Sequence, residues 1–339
     1  MEKPKLSVCV PAYNAAEFIK KTIDSILAQT YSDFELIIID NASTDNTFEI
    51  LKKYTDKRIT LFRNSKNILS ENWNKCISKA NGEYIALFHA DDIYEPTIIE
   101  KQVSILDKKP EVGAVFASAN LINTKDEKIG EKPLSKWFEK KNLSLDLDDI
   151  LKYCVSRVND PFVCSSCIAR TQLYKKVGQY NLKDFKWAFD FDMYFRFLEH
   201  MNIAILDEKL INYRLSPIQA SIRIETSRTC ADEFYLVLDK YLESKIHIFN
   251  SLTLKKYRCY KVYGNLVTPA LNFLSAGNDI EAKRLLRNAL FLDWFLLSFI
   301  DFRLCKYLLT TIVFFFASYT NLYKPLIKLR NSFIMRRHH

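Results

Sequence analysis

Short apolar runs recur through the first 120 residues and alternate with amphipathic segments. Leu6 to Val10, Phe34 to Asp40, Ile59 to Arg63, Tyr84 to Phe88 and Gly113 to Ala117 are too short for buried helices and read as strands. Between them, Ala15 to Gln29 places Phe18, Thr22, Ile23, Ile26 and Leu27 on one face, which predicts a helix, with Asn14 and Glu17 spaced as a capping box. Further helices are expected to start near Thr44, Ser70 and Pro96, the proline sitting in a first turn where its missing N–H costs nothing. Strand and helix in alternation predict an α/β fold with a mostly parallel, Rossmann-like sheet and flanking helices. From Glu225 the pattern turns helical, and from Phe291 strongly aromatic, so the chain divides into a domain at 1–224 and a helical C-terminal region at 225–339.

In a sheet of this kind ligands bind beyond the carboxyl ends of the strands. The residues there are polar and acidic: Pro11-Ala12-Tyr13-Asn14 after the first strand, Asp40-Asn41-Ala42-Ser43-Thr44-Asp45 after the second, and His89-Ala90-Asp91-Asp92 after the fourth. Any one of these has a plain reading as a cap or a turn. Three in register with successive parallel strands converge on one rim, and that convergence points to a site.

Composition narrows the chemistry. None of the six glycines falls into a dinucleotide G-x-G-x-x-G, a phosphate-cradling G-x-x-x-x-G-K or a G-x-S-x-G nucleophile turn. Apart from a terminal pair, the histidines are His89, His200 and His247, too few for a multi-histidine zinc site. Eight cysteines among apolar neighbours, behind an N-terminus without a signal-peptide pattern, predict reduced thiols in a cytoplasmic protein. The one C-x-x-C, Cys164 to Cys167, has no second pair to complete a metal site and reads as buried apolar cysteine.

The net charge of +9 is concentrated late: from Leu290 onward seven Lys/Arg face two aspartates, Asp293 and Asp301. A basic, aromatic tail fits an anionic membrane surface better than nucleic acid. Its most apolar stretch, Tyr307 to Tyr319, spans only about 20 Å as a helix, short of the roughly 30 Å hydrocarbon core. The expectation is therefore a protein peripheral to the cytoplasmic face of a membrane.

VPAYNAAEFI, IIIDNASTDNT, the polar turn around Asn67, ENWNKCISKANGEYIALFHADD, FDFDMYFRF and INYRLSPIQAS, in that order, resemble the inverting glycosyltransferases of family 2 with the GT-A fold, of the bacterial surface-glycan type, over residues 5 to 222. The resemblance implies that Pro11, Ala12, Tyr13, Asn14, Asp40 and Asn67 line the nucleotide pocket, with Asp40 on the base. His89-Ala90-Asp91 stands where the family has the D-x-D that holds Mn²⁺ or Mg²⁺ against the diphosphate, making Asp91, and His89 as a possible imidazole ligand, the metal residues. Asp190, six residues before Arg196, matches the position of the catalytic base, and Arg214, followed by Ser221, the loop that lies against the diphosphate, although an arginine after a strand also reads as a structural salt-bridge partner. The implied reaction moves a sugar from a nucleoside diphosphate, UDP in the first instance, to a hydroxyl of a glycan or lipid-linked saccharide.

The chain departs from the family pattern in four places. His89 replaces an aspartate, Phe189 a glutamate and Ser216 a histidine, and Glu71-Asn72-Trp73-Asn74 stands where many relatives have an Arg-Asn pair and a nearby glycine. Asp92 has alternative roles open to it, as a metal ligand through water, a ribose partner or a cap, and Asp192 is spaced to pair with Arg196. Two other classes compete with the transferase reading. A nucleotidyltransferase would want a glycine-rich basic loop near the N-terminus, which VPAYNAAEF does not supply. A catalytically silent sugar-nucleotide-binding subunit of a glycan assembly complex would tolerate the departures.

Overall fold

The structure is a computed structural model that describes residues 3–139, 144–216, 226–290, 295, 297–299, 301–320 and 322–337. The chain forms two compact units, one of Met1–Leu147 with Pro161–Leu215 and one of Asp148–Asp160 with Ser216–His339. Residues 148–160 thus join the C-terminal region, an exchange that a single break at 224/225 does not contain.

The first unit is built on β1 (Leu6–Ala12), α1 (Ile19–Leu27), β2 (Phe34–Asp40), α2 (Thr47–Leu51), β3 (Ile59–Arg63), α3 (Glu71–Lys79), β4 (Tyr84–Leu87), β5 (Ile93–Tyr94), α4 (Ile98–Lys108), β6 (Val112–Ile122) and β7 (Lys128–Lys132). After α5 (Leu147–Arg157), most of which belongs to the other unit, come β8 (Ile168–Arg170), α6 (Thr171–Val177), α7 (Phe189–Leu198) and β9 (Asn202–Arg214). The sheet runs β3-β2-β1-β4-β8-β6-β9-β5, with β7 on β6. β3, β2, β1 and β4 are mutually parallel, as are β6 and β9, while β8, β5 and β7 pair antiparallel. Parallel strands covered on both faces must be apolar throughout, which is why FELIIID and YIAL are buried along almost their whole length.

α1 buries Ile19, Thr22, Ile23 and Ile26, the spacing of one helical face, against a core that includes Leu6, Val8, Val10, Leu36, Ile38 and Ala86. Entry to β4 is tight. A Cβ on Gly82 would lie 2.6 Å from the Ser7 nitrogen and 2.8 Å from the Leu6 carbonyl carbon, so only glycine lets the chain pass β1 this closely. The Gly82 N–H donates to Ser7 Oγ and its carbonyl accepts from Thr171 Oγ1, which ties β1, β4 and α6 at that point.

The second unit is helical: α8 (Glu233–Lys245), α9 (Ser251–Val262), α10 (Thr268–Ser275), α11 (Asp279–Ala289), α12 (Phe302–Ser318) and α13 (Tyr323–Arg337). Its core gathers Cys259, Val267, Leu271, Leu274, Leu286, Leu304, Leu308 and Phe314. The aromatic tail therefore divides. Phe314 is packed inside, whereas Phe302, Leu309, Val313 and Phe316, on the opposite side of α12, are exposed together with Phe299 and Tyr319. Trp294 and the side chains of Arg336 and Arg337 lie outside the described residues. No helix among the described residues is long and apolar enough to cross a membrane.

Candidate functional site

β1, β2 and β4 are neighbours in one parallel array, so the segments leaving their carboxyl ends lie side by side. Pro11 and Ala12 belong to β1 itself, paired with Ile39 and Asp40. Tyr13 beyond them is exposed. Asn14 has φ 47°, a left-handed conformation that asparagine tolerates better than most residues. Its Oδ1 accepts from the Thr44 N–H at 2.9 Å, and its own N–H donates to Ser43 Oγ at 3.0 Å. This replaces the expected capping box: α1 begins only at Ile19, and the side chain of Asn14 ties the β1 loop to the β2 loop instead. Two further bonds, Ala15 N–H to Thr47 Oγ1 and Ala16 N–H to Asp45 Oδ2, complete the lacing.

Asp40 is fully buried at the end of β2. Its Oδ2 accepts from the Ser43 N–H at 3.2 Å and pairs with Arg63 Nε at 3.1 Å, while Oδ1 is buried without a hydrogen-bond partner. Buried carboxylate oxygens are normally satisfied, so the free one is available to an N–H from a ligand. Beside it, Asn41 Nδ2 donates to Asn67 Oδ1 at 2.9 Å, Asn64 Nδ2 donates to Asn41 Oδ1 and to Asn72 Oδ1, and Asn72 Nδ2 donates to the Ile39 carbonyl. The side-chain oxygen of Asn67 also accepts from the Leu69 N–H, so it shapes its own turn.

The segment after β4 is braced from α1. Thr22 Oγ1 lies 3.1 Å from the Ala90 carbonyl and 2.7 Å from that of Asp92, and the Tyr94 hydroxyl accepts the His89 N–H at 2.7 Å. Ala90 is buried and Asp91 partly so. Asp92 is not a free ligand arm: its Oδ1 accepts the Arg214 N–H at 2.8 Å, and its Oδ2 is buried without a partner. Burial, and after it the charge of Asp91, push the Asp92 carboxyl well above the usual range. His89 Nε2 is likewise buried and unpartnered; burial lowers the imidazole pKa against the opposing pull of Asp91 and Asp190, which favours the neutral, metal-binding form. Ligand atoms of His89, Asp91 and Asp92 all lie within 4.8 Å of one another. The imidazole of His89 and the carboxylate of Asp91, with Asp92 alongside, offer the nitrogen and oxygen donors that a divalent cation can take.

The resemblance sets Arg214 against the diphosphate, with a structural salt bridge as the alternative reading, and its side chain is completely buried. The guanidinium pairs with Asp126 at 2.6 Å, donates to the carbonyls of Asp91 and Asn123 at 2.7 Å each, and lies 4.4 Å over the Phe18 ring. Through these contacts Arg214 braces the His89–Asp92 segment. Ser221 lies outside the described residues.

Asp190 is the second residue of α7 and partly buried, its Oδ1 accepting the Phe191 N–H at 2.8 Å. Burial raises its pKa, opposed by the Cys164 thiol, the Phe191 N–H and His89. Cys164, which reads as apolar filler in the sequence, is partly exposed, accepts from the Tyr194 hydroxyl at 3.0 Å and sits against Asp190. No spacing signal in the sequence marks that role, nor that of Thr22, because both act across the fold on residues 26 or more positions away. Asp192 forms the expected ion pair with Arg196, at 2.8 Å.

The sequence profile described as glycosyl transferase family 2 matches residues 7–174, a span that carries all three loops. Uncharacterized glycosyltransferases of Rickettsia typhi and Haemophilus influenzae are each 30% identical to the chain, over 219 and 223 residues, about 64% of this chain in both cases and 66% and 68% of theirs. In fold, S. aureus TarS 1–349, solved with UDP-GlcNAc, is similar at a TM-score of 0.58 over 84% of this chain and 79% of that one, with 19% identity. The α/β architecture is thus of the GT-A kind. The motifs that lace these loops together and relatives matched across two thirds of their length agree, and the chain belongs to glycosyl transferase family 2.

Proposed function

We propose that the chain transfers a sugar from a nucleoside diphosphate, UDP in the first instance, to a hydroxyl of a glycan or lipid-linked saccharide, with inversion at the anomeric carbon. The observation that carries this reading is the clustering of His89, Asp91 and Asp92 at the end of β4 within electrostatic reach of Asp190. Asp91 and His89 would hold Mn²⁺ or Mg²⁺, which when bound offsets the negative charge that develops on the departing diphosphate. Asp40 receives the nucleotide base on its free Oδ1, between walls formed by Tyr13, Asn14 and the Asn67 turn. Asp190 takes the proton from the acceptor hydroxyl, the role of a base held rigidly at a helix start.

The acceptor would meet the enzyme at a membrane. Phe302, Leu309, Val313 and Phe316 give α12 an exposed apolar stripe, Lys306 and Arg303 are exposed on the same helix, and no acidic residue follows Asp301. Such a face suits the anionic surface of the cytoplasmic leaflet, on which the protein would rest peripherally.

Calorimetry of UDP binding with and without Mn²⁺ tests the donor site. Wild type should bind in a cation-dependent way, Asp91→Asn should abolish that dependence, and His89→Ala should shift the Mn²⁺ requirement. Wild-type binding indifferent to chelator removes Asp91 and His89 from the proposal.

A further inference from the structure

Trp73 stands on α3 within Glu71-Asn72-Trp73-Asn74, a segment that departs from the family pattern, and nothing in the reading above uses it. The indole is partly buried. Its ring centroid lies 5.2 Å from that of His89 at 57°, 5.1 Å from Phe189 and 5.5 Å from Tyr180, the last two edge-on, and Tyr180 and Phe189 pack edge-on to each other at 5.7 Å. These neighbours are themselves fixed. Asn74 Oδ1 accepts the Tyr180 N–H at 2.9 Å, the His89 N–H is held by Tyr94, and Phe189 opens α7. Trp73 therefore spans from the segment that carries the metal candidates to the residue before Asp190.

An uncharged indole offers a phosphate little, but its face matches the C–H face of a sugar ring. In the proposed reaction the group that must lie between a cation-held diphosphate and the base is the donor sugar. We propose that Trp73 is a specificity-determining residue whose indole is the stacking platform for the pyranose ring of the donor, selecting uncharged hexoses with one continuous apolar face. This inference rests on the proposed function, and its test must fail separately from it.

The full chain, Trp73→Ala and Trp73→Phe are titrated in Mn²⁺ with UDP and with UDP-glucose, UDP-galactose and UDP-GlcNAc. The expected result is UDP affinity within twofold in all three proteins, and at least one UDP-hexose bound more tightly than UDP by wild type. Trp73→Ala should lose tenfold or more for that UDP-hexose, and Trp73→Phe should recover most of the loss. The platform is overturned if Trp73→Ala weakens UDP as much as UDP-hexose, if hexose affinity is unchanged, or if the hexose adds nothing in wild type. Wild type that does not bind UDP at all sinks the proposed UDP donor, and the platform with it.

Discussion

Arg214→Met distinguishes a brace from a phosphate ligand. The substitution keeps most of the side-chain volume but removes the guanidinium that meets Asp126, the Asp91 carbonyl and the Asn123 carbonyl. Breaking a buried ion pair from one side typically costs about 3–5 kcal/mol, because the remaining groups stay desolvated. Asp126 keeps Lys21 as a partner and is about a quarter exposed, so the lower end, roughly 3 kcal/mol, applies. For a unit of this size that corresponds to a fall in Tm on the order of 10 °C. Burial pushes the Asp126 carboxyl up, but Lys21 and Arg214 outweigh it and hold it below the ordinary value. Its contribution is therefore fully present above about pH 4 and lost as the pH falls through the depressed folded value, so the gap between wild type and variant should narrow in acid. Thermal unfolding between pH 3 and 8, with and without UDP and Mn²⁺, reads both effects. A variant that melts with wild type yet loses UDP affinity by two orders of magnitude would refute the brace and return Arg214 to the phosphate.

Three further outcomes are expected. Asp190→Asn should leave UDP affinity nearly intact and cut turnover by roughly 10²-fold, and the acid limb of the wild-type rate should lie above the usual aspartate value, since burial outweighs the Cys164 and Phe191 bonds; turnover within a few-fold of wild type removes Asp190 as base. Gly82→Ala should destabilise the first unit by about 1–3 kcal/mol in urea unfolding, the cost of overpacking against the β1 backbone, and an unchanged midpoint contradicts the close approach. Serine at Phe302, Leu309 and Phe316 together should release the protein from anionic vesicles at low salt without altering its helical content, because all three are exposed; truncation is the poorer test, as Leu304, Leu308 and Phe314 of the same helix fill the second core.

How far the sequence could be read depended on whether the deciding interactions were local. β2 and β3 follow their apolar runs residue for residue; β2 is buried along almost its whole length, which leaves no polar alternative, while β3 is the edge strand and is nowhere fully buried. The three-residue β8 and the long β9 were less visible: β8 is too short for any period to show, and β9 interrupts its apolar pattern with Asp207, Glu208 and Lys209 where its pairing with β6 slips. Asn14 illustrates the boundary. Its spacing to Glu17 is that of a capping box, yet its oxygen is taken by Thr44, thirty positions on, because the parallel pairing of β1 with β2 brings that N–H closer than the helix does.

The sequence by itself determined the α/β order and the three polar segments at the strand ends, because hydrophobic period is a property of neighbouring residues, while Asp40, His89, Asp91 and Asp190 enter as candidates through the family resemblance of its motifs. Only the tertiary structure decided what each of these touches. It turned Arg214 inward as a brace and committed one oxygen of Asp92 to a backbone amide of β9. It also set Cys164 against Asp190, and Trp73 between His89 and Phe189. Those partners lie far apart in the chain, and burial and unsatisfied polar atoms, which assign them, come into being only when strands distant in sequence are packed side by side.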